Sequence, residues 1–142
     1  MDLRIEVDLP YPVPEVVAVV EDLAHYSSWM TLVHSLVSDG DEAWSVELRG
    51  RVGPLTRSKR LRMVRTVHEA DRVRFERREV GPRRHSEWTL ETTWCAVDVG
   101  TRVTMELRYG GRLWSSMIER VLHDEVDKSK VRLDEYVAGR RT

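Results

Sequence analysis

Two arginines stand where the apolar face of a strand should run. Leu61, Met63, Arg65 and Val67 recur at every second residue, and so do Val73, Phe75, Arg77 and Glu79. A two-residue period places such a set on one face of a strand, so Arg65 and Arg77 are expected to point inward with their apolar neighbours. A guanidinium there needs compensation, because leaving one charge of a buried pair alone costs about 3–5 kcal/mol. Glu79 shares the face. Glu125 and Ser129 fall within a helical stripe defined by Ile118, Leu122 and Tyr136 near the C-terminus. These groups either pair with one another or meet the oxygen-bearing end of a ligand. Glu125 is also a titratable group in that setting. Burial would raise that glutamate's pKa and a neighbouring arginine would lower it.

Aromatic residues offer the matching walls. Trp29, Trp44, Trp88, Trp94 and Trp114 all fall on expected inner faces or their rims. Trp44, Met63, Phe75, Trp88 and Leu90 on the strands, with Ile118 and Leu122 on the helix, would line a small-molecule cavity. Trp29 would stand at its entrance. Simple hairpin registers sharpen the picture. A three-residue loop at 70–72 sets Val67 beside Phe75 and Arg65 beside Arg77. The Gly81-Pro82 turn sets Arg77 beside Trp88, and the turn at 53–56 sets Arg65 beside Trp44. Cation–π contact there would contribute about 0.5–2 kcal/mol. A single bulge would undo this parity, since a one-residue slip exchanges the two faces.

Other chemistries find no support. The five histidines form no His-x-x-x-His pair, so no metal site is expected. There is no Gly-x-Ser-x-Gly elbow, phosphate-cradling loop or dinucleotide fingerprint, and no cofactor is expected. Cys95 shares the outward parity opposite Trp88 and Trp94, with nothing nearby to activate it. The basic stretch Arg49–Arg65 alternates mostly onto the solvent face and lacks interleaved exposed aromatics, which argues against nucleic-acid binding.

Positioning these residues requires the following elements. Leu3, Ile5, Val7 and Leu9 alternate as a half-buried strand. Pro14 opens a helix predicted over residues 14–25, and a shorter one around Ser28–Leu32 carries Trp29. Asp39-Gly40 reads as a two-residue hairpin between Val33–Ser38 and Asp41–Val52. Four more strands follow, the last two carrying Trp88 to Trp94 and Val103 to Tyr109. Beyond Gly110-Gly111 the period becomes 3.6, and Trp114, Ile118, Leu122, Val126, Leu133 and Tyr136 mark a helix running to about Ala138. At roughly 25 residues it spans about 38 Å. Short connections make the sheet antiparallel, and only the long helix is large enough to cover it.

The 142 residues suit a single α+β domain spanning 1–142, with 41% apolar and 33% charged side chains. A net charge of −1 gives no global attraction to polyanions. No membrane span or signal pattern is visible, and one cysteine fits a cytoplasmic location. A homodimer is compatible with the chain.

The stretches from Pro14 to Val17 and from His25 to Met30, together with Glu87-Trp88-Thr89-Leu90, Gly100-Thr101-Arg102-Val103-Thr104 and the terminal helix, resemble the START-like (SRPBCC) superfamily, polyketide cyclase branch included. That resemblance implies a helix-grip fold, a curved antiparallel sheet of about seven strands around a long C-terminal helix. The superfamily holds binders, transfer proteins and enzymes alike, so the resemblance does not choose among them. Three functions follow as expectations. The first is binding or transport of an apolar or aromatic small molecule. The second, implied by the cyclase branch, is polyketide cyclase or dehydratase chemistry, in which Arg65 and Arg77 would stabilise enolate oxygen and Glu125 would act as a base. The third is a chaperone-cofactor-like interaction module.

Overall fold

The computed structural model describes residues 2–52, 54–110 and 116–141, with the side chains at 51, 52, 116–122 and 124 left aside. The expected Trp114 lies outside these residues, as do the side chains of Ile118 and Leu122.

The chain runs β1 (Asp2–Leu9), α1 (Val13–Val20), a 3₁₀ turn (Leu23–Ser28), β2 (Val33–Ser38), β3 (Ala43–Val52), β4 (Leu55–His68), β5 (Arg72–Arg77), β6 (Trp88–Val97), β7 (Gly100–Tyr109) and α2 (Ser116–Gly139). Seven strands form one antiparallel sheet in the order β1-β7-β6-β5-β4-β3-β2. This is the expected helix-grip architecture. From β2 to β7 consecutive strands pair, through short turns except for the longer β5–β6 loop, while β1 lies at the far edge against β7. Alternation does the rest: Leu61 and Met63 on β4, Val73 and Phe75 on β5, and Trp88, Leu90 and Trp94 on β6 are all buried on the inner face. α2 lays Leu133 and Val137 against that face, each about 1% exposed. No described helix is long and apolar enough to cross a membrane.

Local geometry departs from the sequence-based expectation in five places. The first helix stops at Val20, because Asp22 takes an extended conformation and its carboxylate accepts the Ala24 N–H, which starts a 3₁₀ turn. That turn, Leu23–Ser28, replaces the helix expected around Ser28–Leu32, and Trp29 follows it as the cap. The β2–β3 connection uses residues 39–42 instead of two, closed by the Asp39 N–H to the Ala43 carbonyl. It needs two left-handed residues, Gly40 at φ +110° and Glu42 at φ +55°.

The other two departures concern register. Val52 pairs with Leu55, so the β3–β4 turn is tighter than expected and Trp44 faces Met63, not Arg65. In the β4–β5 hairpin the register shifts between Arg65 and Val67. Thr66 is the extra residue of a bulge, and Arg65 faces Phe75 while Met63 faces Arg77. The expected neighbours Arg65 and Arg77 are therefore separated by one inward position along the ladder. Val67, opposite Arg74, is turned away from the inner face.

Candidate functional site

A cavity of about 80 Å³ lies between the sheet and α2. Its floor is the inner face of the strands: Leu3, Ile5 and Val7 of β1, Val46 and Leu48 of β3, Leu61 and Met63 of β4, Trp88 and Leu90 of β6, and Met105 and Leu107 of β7. Each pair or triplet is spaced by two, so strand alternation alone delivers an apolar floor. The roof comes from α2, with Glu125, Val126, Ser129, Lys130 and Leu133. Tyr26 and Trp29, with Met30 and Leu32 just beyond, close one side.

Polar contacts hold the roof over that side wall. Ser129 Oγ accepts the Thr31 N–H at 3.1 Å, and Thr31 Oγ1 donates to the Glu125 carbonyl at 3.3 Å. Further along α2, Tyr136 Oη lies 2.9 Å from His25 Nδ1, Tyr11 donates to Asp134, and Arg132 donates to the Ser28 carbonyl. Ser129, expected on the cavity side of the helix, is there, but its hydroxyl is engaged by Thr31.

Trp29 is 2% exposed, and its indole N–H meets no acceptor among the described residues. Trp29 stacks at a tilt on Tyr26, with 4.8 Å between ring centres. Tyr26 in turn meets the edge of Phe75 at 5.7 Å, and Phe75 that of Trp44 at 5.8 Å. Phe75 and Trp44 thus support the wall from behind; neither lines the cavity. Tyr26 is fully buried, its hydroxyl donating to the Val20 carbonyl at 2.6 Å, and burial pushes its pKa far up.

Arg65 keeps the inward parity yet stays outside the cavity. Its Nη2 donates to the Glu42 carboxylate at 2.8 Å and its Nη1 to the Glu21 carbonyl, also at 2.8 Å. Glu21 is the cap residue at the end of α1, so the arginine satisfies a helix-terminal carbonyl. The Arg65 hydrogen bond, then its charge, holds the Glu42 carboxyl below its ordinary value.

Arg77 occupies a different setting. A polar pocket of about 420 Å³ adjoins the β5–β6 loop, lined by Arg77, Glu79, Arg83, His85, Ser86 and Trp88 among others. The Arg77 side chain is only 9% exposed. It donates to Glu79 at 2.8 Å, to the Ser86 carbonyl and hydroxyl at 3.2 Å, and to His85 Nδ1 at 3.2 Å. Since a guanidinium only donates, His85 accepts there on Nδ1. Burial pushes the Glu79 carboxyl up, but the Arg62 backbone N–H and Arg77 outweigh it, leaving the group below its ordinary value. Lys59 lies 5.9 Å from the centre of the Trp88 ring, and burial followed by the Arg77 charge pulls its pKa down.

Trp88 belongs to both pockets, and it stacks on Tyr109 with ring centres 5.2 Å apart. The expected proximity of Arg77 and Trp88 is found, whereas Arg65, Arg77 and Glu125 do not converge. Of the residues singled out in the sequence, Trp29, Met63, Trp88, Leu90, Glu125 and Ser129 line the apolar cavity. Sequence reasoning passed over Tyr26 and the Thr31 contact. The Tyr26–Trp29 spacing of three residues was visible, but the 3₁₀ turn that uses it was not.

A model of the family described as polyketide cyclase / dehydrase and lipid transport matches residues 9–130. A search of curated proteins finds no match. Among solved structures, the Zhui aromatase/cyclase from Streptomyces sp. R1128 superposes with a TM-score of 0.67 at 13% identity, covering 100% of this chain and 96% of that one. A START superfamily protein from Mycobacterium smegmatis gives 0.72 at 8% identity, covering 97% of each chain. A conserved protein from Geobacillus kaustophilus gives 0.73 at 15% identity, covering 98% of this chain and 96% of that one. At these identities the likeness shows a shared fold.

Proposed function

The chain belongs to the polyketide cyclase / dehydrase and lipid transport family, and from that premise we propose that it binds one apolar or aromatic small molecule between its sheet and α2. The observation that carries this reading is the cavity wall, which is apolar except for Glu125, Ser129, Lys130, the Tyr26 hydroxyl and the indole nitrogens. Such a wall with few polar groups is what a small-molecule pocket needs. At about 80 Å³ the cavity is smaller than the roughly 150 Å³ engineered cavity that takes benzene, so binding must widen it.

The polar end of the ligand is assigned to Arg77. Trp88 forms the shared wall between cavity and polar pocket, and a ligand passing its edge would reach a guanidinium that is nine-tenths buried. A carboxylate or carbonyl oxygen would take over the donor now directed at His85. Arg65 has no such role in this reading, because Glu42 and the Glu21 carbonyl already occupy it.

Cyclase chemistry is supported less well. It would draw on Glu125, the one carboxylate lining the cavity among the described residues, and on an arginine beside it. Arg65 lies outside that lining and Arg77 lies in the adjoining pocket. An interaction module is also less well supported: among the described residues, the exposed large apolar side chains Val37, Leu55, Val80, Val99 and Val131 lie on five separate segments.

The test is native mass spectrometry of the purified protein, then titration with 2-naphthoic acid and its methyl ester. Binding of both, with the acid weakened selectively in Arg77→Met, is the expected outcome. An equal loss for acid and ester would remove Arg77 from the site, and no binding of either would overturn the reading.

A further inference from the structure

Trp29 is the place where the cavity wall leaves a strong hydrogen-bonding group without a partner. The residue is 2% exposed, its Nε1 is fully buried, and no described residue offers that N–H an acceptor. Buried donors are almost always satisfied, and an orphan costs free energy that a suitable partner recovers. Tryptophan in a core usually finds such a partner, so phenylalanine would serve the packing at lower cost. The neighbouring polar groups are engaged elsewhere. Tyr26 donates to the Val20 carbonyl, and Ser129 and Thr31 are bound to each other and to α2.

We infer that the ligand carries an uncharged hydrogen-bond acceptor, a ketone, ester or ether oxygen, that pairs with the Trp29 indole N–H when the cavity widens. This rests on the binding function proposed above and narrows the ligand class within it. The acceptor is uncharged because the chain around Trp29 offers no cation to it: Tyr26, Met30, Leu32 and Val33 line the same cavity, and Lys130, the one cationic side chain in that lining among the described residues, belongs to α2. A carboxylate placed there would lose its hydration with one N–H in return. A neutral oxygen loses less and gains the same bond. Trp29 lines the cavity and meets the tilted Tyr26 ring at 4.8 Å between ring centres, so widening on the cavity side is what would bring an acceptor to Nε1.

The experiment compares acetophenone with α-methylstyrene, which has nearly the same shape but replaces the carbonyl by a carbon–carbon double bond. Affinities are measured for the wild type and Trp29→Phe, and the ketone-to-alkene affinity ratio is taken within each protein. The alkene's greater hydrophobicity and any loosening of the wall cancel in the comparison of ratios. The ratio should fall about tenfold in Trp29→Phe, the effect of relieving one orphaned donor. In parallel, ¹⁵N-tryptophan labelling of the wild type isolates the indole N–H signals, and Trp29 is assigned by its proximity to the Tyr26 ring. That signal should move downfield with the ketone and much less with the alkene, a reading that needs no variant to fold. Equal ratios in the two proteins, or an indole signal indifferent to the carbonyl, would overturn the inference while leaving the binding function intact. If neither compound binds the wild type, the binding function itself fails.

Discussion

At the level of single residues, hydrogen bonds to backbone carbonyls decide how the wall of the cavity stands. Tyr26 satisfies the Val20 carbonyl at the end of α1 from a fully buried position. Tyr26→Phe leaves that carbonyl buried without a partner, and thermal unfolding should show a loss of about 1–3 kcal/mol. Arg65 makes the equivalent contact with the Glu21 carbonyl, and its second partner makes it sensitive to pH. The Arg65 hydrogen bond holds the Glu42 carboxyl below its ordinary value of 4.5. A carboxyl depressed by folding contributes stability that is present above the ordinary value and lost as pH falls through the folded one. Denaturant melts between about pH 3 and 7 should therefore show a shallower acid limb in Glu42→Gln than in the wild type. An identical acid limb would mean that the pair contributes nothing in solution.

At the level of elements, close approaches and bulges position the site. Gly100 begins β7, where a Cβ would stand 2.0 Å from the Leu9 carbonyl oxygen and 2.8 Å from the Tyr11 nitrogen. Both obstacles are backbone, so Gly100→Ala must push the β1–α1 connection away from the sheet. A loss of about 3 kcal/mol or more is expected in chemical denaturation, at the upper end for overpacked positions. The Thr101 hydroxyl, which donates to the Tyr11 carbonyl at 2.8 Å, should lose its bond in the same variant. On α2, Ser129→Ala removes the acceptor of the Thr31 N–H, with an expected cost of about 1 kcal/mol. Amide hydrogen exchange at Thr31 should quicken with it, whereas exchange in the β6–β7 ladder should not change.

These elements were unevenly legible. The inner faces of β1, β4 and β6 could be read from Leu3 to Leu9, from Leu61 to Met63 and from Trp88 to Trp94, because alternation is a local property. The partner of Arg65 could not. It depends on the bulge at Thr66 and on Glu42 entering a left-handed conformation at the start of the neighbouring strand β3. The polar pocket around Arg77 was half legible: its inward parity and the nearness of Trp88 followed from the strand pattern, while Ser86 and His85 reach it through the loop after β5.

Over the whole molecule, a cavity of about 80 Å³ would have to widen to hold the proposed ligand. Leu90, 7% exposed, borders the cavity on β6, an interior strand of the sheet. Leu90→Ala should cost about 2–5 kcal/mol of stability by removing buried carbon and leaving empty space. The same variant should bind naphthalene-sized compounds more tightly than the wild type, and a saturating ligand should recover part of the lost stability. Calorimetric unfolding with and without ligand measures both. A variant that loses stability without gaining affinity would indicate that the wall collapses into the space.

What the amino-acid sequence determined by itself is the architecture and the character of the interior. Periods of 2 and 3.6, punctuated by glycine and proline turns, specify seven strands and a covering helix, and short connections leave antiparallel pairing as the available arrangement. Tertiary structure decided which polar groups meet. Hairpin registers, the bulge at Thr66 and the 3₁₀ turn before Trp29 each shift a side chain by one or two positions. Such shifts scarcely alter the hydrophobic pattern that drives folding. They decide entirely whether a guanidinium faces Glu42, Glu79 or a ligand, because hydrogen bonds act over about 3 Å and burial does not.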